Sequence, residues 1–168
     1  MRNIYEPFLR RFRPRRLRLF YSSFRITEET KVFDLGGGLY FWELAKSEGL
    51  PVPQVTVLNI RPGPERLPPG IVWVLGDARS SGLSDLSFDI VFSNSLVEHL
   101  ADWNSQVQFA SEVRRLAPNY FVQTPNKWFF VEPHFVTPFI HWVPAPVRRG
   151  LGPRSTLWGW AGGATREL

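Results

Sequence analysis

The residues with the clearest chemical meaning close one apolar run, Val32-Phe33-Asp34-Leu35-Gly36-Gly37-Gly38. A strand-like stretch carries an acidic residue, turns through three glycines and passes into a helix-like stretch. Glycine at such a turn lets backbone N–H groups approach a ligand and point at it from a helix N-terminus. Spacing narrows the choice of ligand. A phosphate cradle of the ATPase type ends in Gly-Lys-Ser/Thr, which this chain lacks. A dinucleotide fingerprint needs glycine where Phe41 stands, and a bulky ring there obstructs close packing of helix on strand. No Lys or Arg lies between Phe33 and Tyr40. What remains is Asp34-x-Gly36-x-Gly38, an acidic residue leading a short glycine turn.

Three histidines are the candidates for proton transfer. His99 follows Glu98 just after an apolar run, and His134 lies in Val131-Glu132-Pro133-His134-Phe135. His99 and His134 are the two catalytic candidates. The alternative for His99 is a helix-capping or core histidine, and His141 has less to recommend it. With no Cys, thiolate ligands, disulfides and cysteine nucleophiles are excluded. Glu98, His99, Glu132, His134 and His141 match no compact metal-ligand spacing, and no metal is expected.

The elements that must position these residues read as alternating strands and helices, the pattern of a parallel sheet covered by helices. Strands are expected at Lys31 to Leu35, Val55 to Ile60, Ile71 to Leu75, Phe88 to Phe92 and Asn119 to Gln123. Leu39 to Lys46 reads as a short helix stopped by Gly49. Asp102 can cap a second helix in which Trp103, Val107, Ala110 and Val113 recur at helical spacing. Pro14 is expected to interrupt any single long helix before the first strand.

Taken in order, these pieces closely resemble the class I S-adenosylmethionine-dependent methyltransferases, most closely their small-molecule group. VFDLGGG matches the first motif, Gly76-Asp77-Ala78 the segment after strand three, FDIVFSNSLVEHL strand four and its turn, and NYFVQTPN strand five. The resemblance implies a Rossmann-like, doubly wound, mostly parallel α/β sheet with S-adenosyl-L-methionine across its carboxyl edge. It implies that Gly36, Gly37 and Gly38 pass beneath the methionine and ribose, and that Asp34 orients the loop and reaches the ammonium group. Asp77 would accept from the adenine amino group, with the Ala78 amide beside it, while Ser93 and Asn94 would face the methionine end. One position departs from the pattern. Asn59 stands where the family usually has an acidic residue gripping the ribose hydroxyls, and it is expected to hold them more weakly, since a neutral hydrogen bond is weaker than a charge-assisted one. The family also adds an antiparallel sixth and seventh strand. No convincing pair follows Gln123, so a fold shortened at its C-terminus is expected.

Charge separates the chain further. Residues 1–25 hold eight Arg against Glu6 alone, so that stretch is +7 while the whole 168-residue chain is +5. This reads as a basic leader, whose alternatives are contact with an anionic membrane surface, RNA binding, organelle targeting or a solvated cap helix. The nearly neutral body argues against a nucleic-acid groove over the fold. Residues 26–126 are expected to form the cofactor-binding core. Residues 127–168, with four of the seven Trp, read as an aromatic arm or substrate lid. No apolar run reaches the roughly 18 residues that cross a bilayer, and a cytoplasmic setting, peripheral to a membrane through residues 1–25, is expected. The expected acceptor is a small or lipid-like molecule. A non-catalytic module of the same fold and an RNA methyltransferase are the alternatives.

Overall fold

The computed structural model describes residues 6–100, 102–124, 131–132 and 137–138, with side chains over 14–100 and 102–124. The chain divides into two compact units, residues 1–124 and 125–168. In the first, five strands, β1 (Lys31–Leu35), β2 (Gln54–Asn59), β3 (Ile71–Leu75), β4 (Ile90–Asn94) and β5 (Asn119–Gln123), form one sheet. Every pairing is parallel and the order is β3-β2-β1-β4-β5. In the second, β6 (Val131–Glu132) and β7 (Thr137–Pro138) pair antiparallel as a two-stranded sheet of their own.

Strand alternation sends successive side chains to opposite faces, and two separate cores result. Val32, Val55, Val57, Ile90 and Phe92 join Phe20 and Trp42 on one face, the side of helices α1 (Glu6–Ser23) and α2 (Leu39–Ser47). Phe33, Leu35, Leu58 and Val91 join Phe109, Val113 and Leu116 on the other, the side of α3 (Trp103–Leu116). Both faces of β1 and β4 are thus covered, as their nearly continuous apolar sequences require.

Three sequence expectations need correction. Helix α1 runs unbroken through Pro14. An internal proline costs about 3 kcal/mol, and full burial of Leu17 and Phe20 offsets a cost of that size at about 2 kcal/mol each. The Phe20 ring meets Phe92 at 4.9 Å and Phe121 at 5.4 Å between centroids, so this stretch is built into the core. The inward face of α3 also differs from the one expected. Trp103 and Val107 are exposed, whereas Ser105, Phe109, Glu112, Val113 and Leu116 are buried. The polar members are admitted because they are paired: Glu112 Oε1 accepts from the Ser81 N–H at 2.8 Å and from Arg115 Nη2 at 2.8 Å. Asp102 caps the helix as expected, accepting from the Ser105 N–H at 2.7 Å. Finally, β4 begins two residues later than its apolar run, because the Phe88 N–H bonds to the Leu116 carbonyl outside the sheet.

Candidate functional site

In an open sheet of this order the chain leaves β1 toward one side and returns, through β4, on the other. The crevice beyond the carboxyl ends of β1 and β4 is where ligands bind in doubly wound folds. Here it contains a cavity of about 350 Å³, within the range of small-molecule sites. Asp34, Gly36, Gly37, Gly38 and Asn94 contribute to its wall, together with the rings of Tyr40, Phe41 and Phe92.

The three glycines are there for three different reasons. Gly36 has φ +73, a left-handed conformation that a side chain disfavours, and its N–H bonds to the Leu58 carbonyl at 2.8 Å. Gly37 has no room for a side chain, because a Cβ would overlap the Asp34 carboxyl group. Gly38 is extended, with φ −157, and opens α2 as its N-cap; a Cβ there would meet nothing within 4 Å. Among the described residues no atom requires glycine at position 38.

Asp34 is 1% exposed. The Trp42 indole N–H donates to its Oδ2 at 2.9 Å, while Oδ1 is buried without a hydrogen-bond partner among the described residues. Burial pushes the carboxyl up from 3.8 to about 7, against the lowering effect of the Trp42 bond. A carboxyl poised near neutrality beside a cavity, with one oxygen unsatisfied, is suited to meeting a cation.

Asn94 Oδ1 lies 3.5 Å from Arg16 Nη1 and 3.4 Å from Ser95 Oγ. Ser95 itself has φ 62, unusual for a residue other than glycine. Arg16 comes from α1, 78 residues away in sequence, and no motif in the chain marks it. No motif marks Trp42 or Phe92 as a site residue either. Their signal was their position, eight residues after Asp34 on α2 and one residue before Ser93 on β4.

The other expected site residues that are described stand apart from the cavity wall. Ser93 is fully buried, and its hydroxyl donates to the Leu35 carbonyl at 3.0 Å. By strand alternation it lies on the α3 side, so it ties β4 to β1 and does not face the cavity. Asn59 donates through Nδ2 to the Gly37 carbonyl at 2.9 Å and accepts from the Arg61 N–H at 3.0 Å. Asp77 is paired with Arg79, whose Nε lies 3.0 Å from each of its carboxylate oxygens; these bonds hold the carboxyl below its ordinary range. Arg79 also reaches Ser105 Oγ at 3.1 Å. Ala78 is buried in the α3-side core. His99 is exposed and ends the 3-10 turn Val97–His99. Its neighbour Glu98 accepts from Thr124 Oγ1 at 3.0 Å through Oε2, while Oε1 is buried without a partner. His134 and His141 lie outside the described residues. Among the described residues no group of three His, Asp or Glu could hold a metal, and no helix is long and apolar enough to cross a membrane.

The family described as a methyltransferase domain matches residues 35–119, from the last residue of β1 to the first of β5. No curated protein is significantly similar to the chain. Among solved structures, one from Anabaena variabilis bears the name of a methyltransferase from an antibiotic biosynthesis pathway. It superimposes with a TM-score of 0.50 at 18% identity, over 61% of this chain and 41% of that one. The 1,6-didemethyltoxoflavin N1-methyltransferase of Burkholderia thailandensis, bound to its substrate and S-adenosylhomocysteine, gives 0.50 at 15% identity over 63% and 48%. Phosphoethanolamine N-methyltransferase 2 of Haemonchus contortus, in complex with S-adenosyl-L-methionine, gives 0.50 at 20% identity over 65% and 27%. The chain thus spans less than half the length of each of these three proteins, and at such identities the likeness is one of fold.

Proposed function

Because the chain belongs to the methyltransferase domain family, we propose that the cavity beyond β1 and β4 binds S-adenosyl-L-methionine and that the protein transfers its methyl group to a small-molecule acceptor. When bound, the cofactor supplies an electrophilic methyl group on a sulfonium. One observation carries the reading. The cavity joins a buried, half-unsatisfied carboxyl, Asp34, to a glycine loop whose last member is not required by any described residue.

Each side of the cavity then has a role. Asp34 neutralises the ammonium group of the amino-acid end, a pairing that buried charge needs. Asn94, with Arg16 beside it, offers polar groups of the kind that a carboxylate accepts from. Tyr40, Phe41 and Phe92 line the cavity with aromatic rings, the kind of surface that attracts a cationic sulfonium. Methyl transfer is an in-line displacement, so alignment and dryness do most of the work. A base is required only for an acceptor that loses a proton, and His99, exposed on the turn after β4, is the residue proposed for it. The small or lipid-like character of the acceptor is supported by the nearly neutral body and the aromatic segment after Thr124.

Thermal unfolding with S-adenosylhomocysteine tests the binding. A ligand at a hundred times its Kd stabilises the native state by about 2.7 kcal/mol, an increase in Tm of roughly 5–10 °C for a chain of this size. Gly38→Ala sharpens the test. A Cβ meets no described atom within 4 Å, so the expected cost to stability is that of the poorer N-cap alanine makes, about 1 kcal/mol, or roughly 2–4 °C in Tm. Its affinity for S-adenosylhomocysteine is expected to fall at least about tenfold, since the methyl group stands where the ligand passes. Unchanged affinity would move the ligand away from this loop. A non-catalytic binding module is the second reading, favoured by the engagement of Asn59 and Asp77 within the protein. Binding without transfer to any of a pool of acceptors, followed with labelled cofactor, would select it.

A further inference from the structure

The residue at the end of β2 is engaged in an unusual way. Asn59 sits between two backbone groups whose polarity is not in doubt: a carbonyl, that of Gly37, 2.9 Å from Nδ2, and an N–H, that of Arg61, 3.0 Å from Oδ1. A carbonyl must face the NH2 end of the amide and an N–H must face its oxygen, so the orientation of the amide is determined by its partners. The backbone around it is tied down as well. The Gly36 N–H bonds to the Leu58 carbonyl at 2.8 Å, and the Gly76 N–H to the Asn59 carbonyl at 3.0 Å. Gly37 is therefore held from two directions, by the Asp34 carboxyl packed against its Cα and by the Asn59 amide on its carbonyl.

We propose that Asn59 is a positioning residue: its amide braces the glycine loop against the end of β2, and affinity for the cofactor reaches Asn59 through the loop and not through contact with the ribose. The proposal rests on the cofactor reading above. An amide is the side chain this brace demands. Aspartate has no donor for the Gly37 carbonyl, and it would set a carboxylate oxygen against that carbonyl while keeping only the bond from Arg61. The residue type that would best grip a sugar diol is thus the one that would loosen the loop.

The experiment compares wild type and Asn59→Asp by calorimetric titration with S-adenosylhomocysteine and with its 2′-deoxy analogue, and by amide hydrogen exchange over residues 36–40. Loss of a hydrogen bond together with carbonyl-carboxylate repulsion is expected to weaken both ligands by the same factor, about tenfold. Exchange in the loop is expected to quicken by a similar factor without ligand. An Asn59→Asp protein that binds S-adenosylhomocysteine more tightly, and loses that gain with the 2′-deoxy analogue, would make Asn59 a ribose contact and overturn the proposal. Asn59→Ala, which removes both bonds without adding charge, serves where the aspartate variant does not fold; loop exchange unchanged in it would equally overturn the brace. Failure of the wild type to bind S-adenosylhomocysteine would overturn the cofactor reading and the affinity half of the proposal, whereas the brace itself is tested by the exchange measurement, which needs no ligand.

Discussion

Replacing Gly37 by alanine is expected to lower stability by about 3 kcal/mol, a fall in Tm of roughly 6–12 °C for a chain of this size, and to cost at least about a hundredfold in affinity for S-adenosylhomocysteine. The cause is steric and not conformational. Gly37 is absent from the positive-φ glycines, which include Gly36, so alanine could adopt its backbone angles. Its Cβ, however, would occupy the volume of the Asp34 carboxyl, and that carboxyl cannot retreat. It is 1% exposed, bonded to Trp42 Nε1 and backed by the aromatic cluster of Phe20, Phe41, Trp42 and Phe92. Either the loop lifts, breaking the bond from Asn59 to the Gly37 carbonyl, or Asp34 leaves its indole partner. Calorimetric unfolding and ligand titration of Gly37→Ala beside Gly38→Ala decide the matter. Equal effects at the two positions would show that close packing on Asp34 is not what position 37 requires.

The second large effect belongs to Asp34→Asn and takes its signature from pH. The native carboxyl titrates at about 7 and the unfolded one at 3.8, so the folded protein binds this proton more tightly. Its favourable contribution is complete below about pH 4, declines as pH rises toward 7, and is gone above that. The interval corresponds to about 4 kcal/mol at most. Asparagine keeps an oxygen for the Trp42 N–H and carries no charge to bury. The variant is therefore expected to match the wild type near pH 4 and to exceed its stability by up to about 4 kcal/mol at pH 8, the gap opening between those values and constant beyond. A stability difference that does not vary with pH would mean that the native carboxyl stays ionised. Ligand binding should move the opposite way. A cationic ammonium group prefers the carboxylate, so wild-type affinity is expected to fall about tenfold per pH unit below 7, whereas Asp34→Asn binds weakly at every pH. More stable and less able to bind is the combination expected of a carboxyl whose buried charge serves a ligand and not the fold.

The two variants also show which parts of the site could be read in advance. The strand, the glycine turn and α2 are contiguous, and their signals are local: a five-residue strand built on Val32, Phe33 and Leu35, a turn needing glycine and a helix that follows at once. The same is true of β3 and β5, each found where its residues suggested. Asp102 at the start of α3 was legible because an N-cap acts within three residues. By contrast, helical spacing points to the wrong inward face for α3, because Trp103 and Val107 are apolar but exposed, while Glu112 is charged but buried in pairs with Ser81 and Arg115. Arg115 lies one turn on in the same helix, but Ser81 comes from a loop 31 residues earlier.

What the sequence alone determined is therefore the order of the elements and the crevice they must create, because strand and helix periods and the glycine turn are properties of neighbouring residues. Only the tertiary structure decided how each polar group at that crevice is used. It turned Ser93 to the Leu35 carbonyl and paired Asp77 with Arg79. It brought Arg16 to Asn94 across 78 residues and set Asn59 on the Gly37 carbonyl across 22. It also carried a proline-containing helix through to bury Phe20. A side chain's partner depends on what the fold places within about 3 Å of it, and in a sheet wound in both directions from β1 those neighbours are distant in the chain.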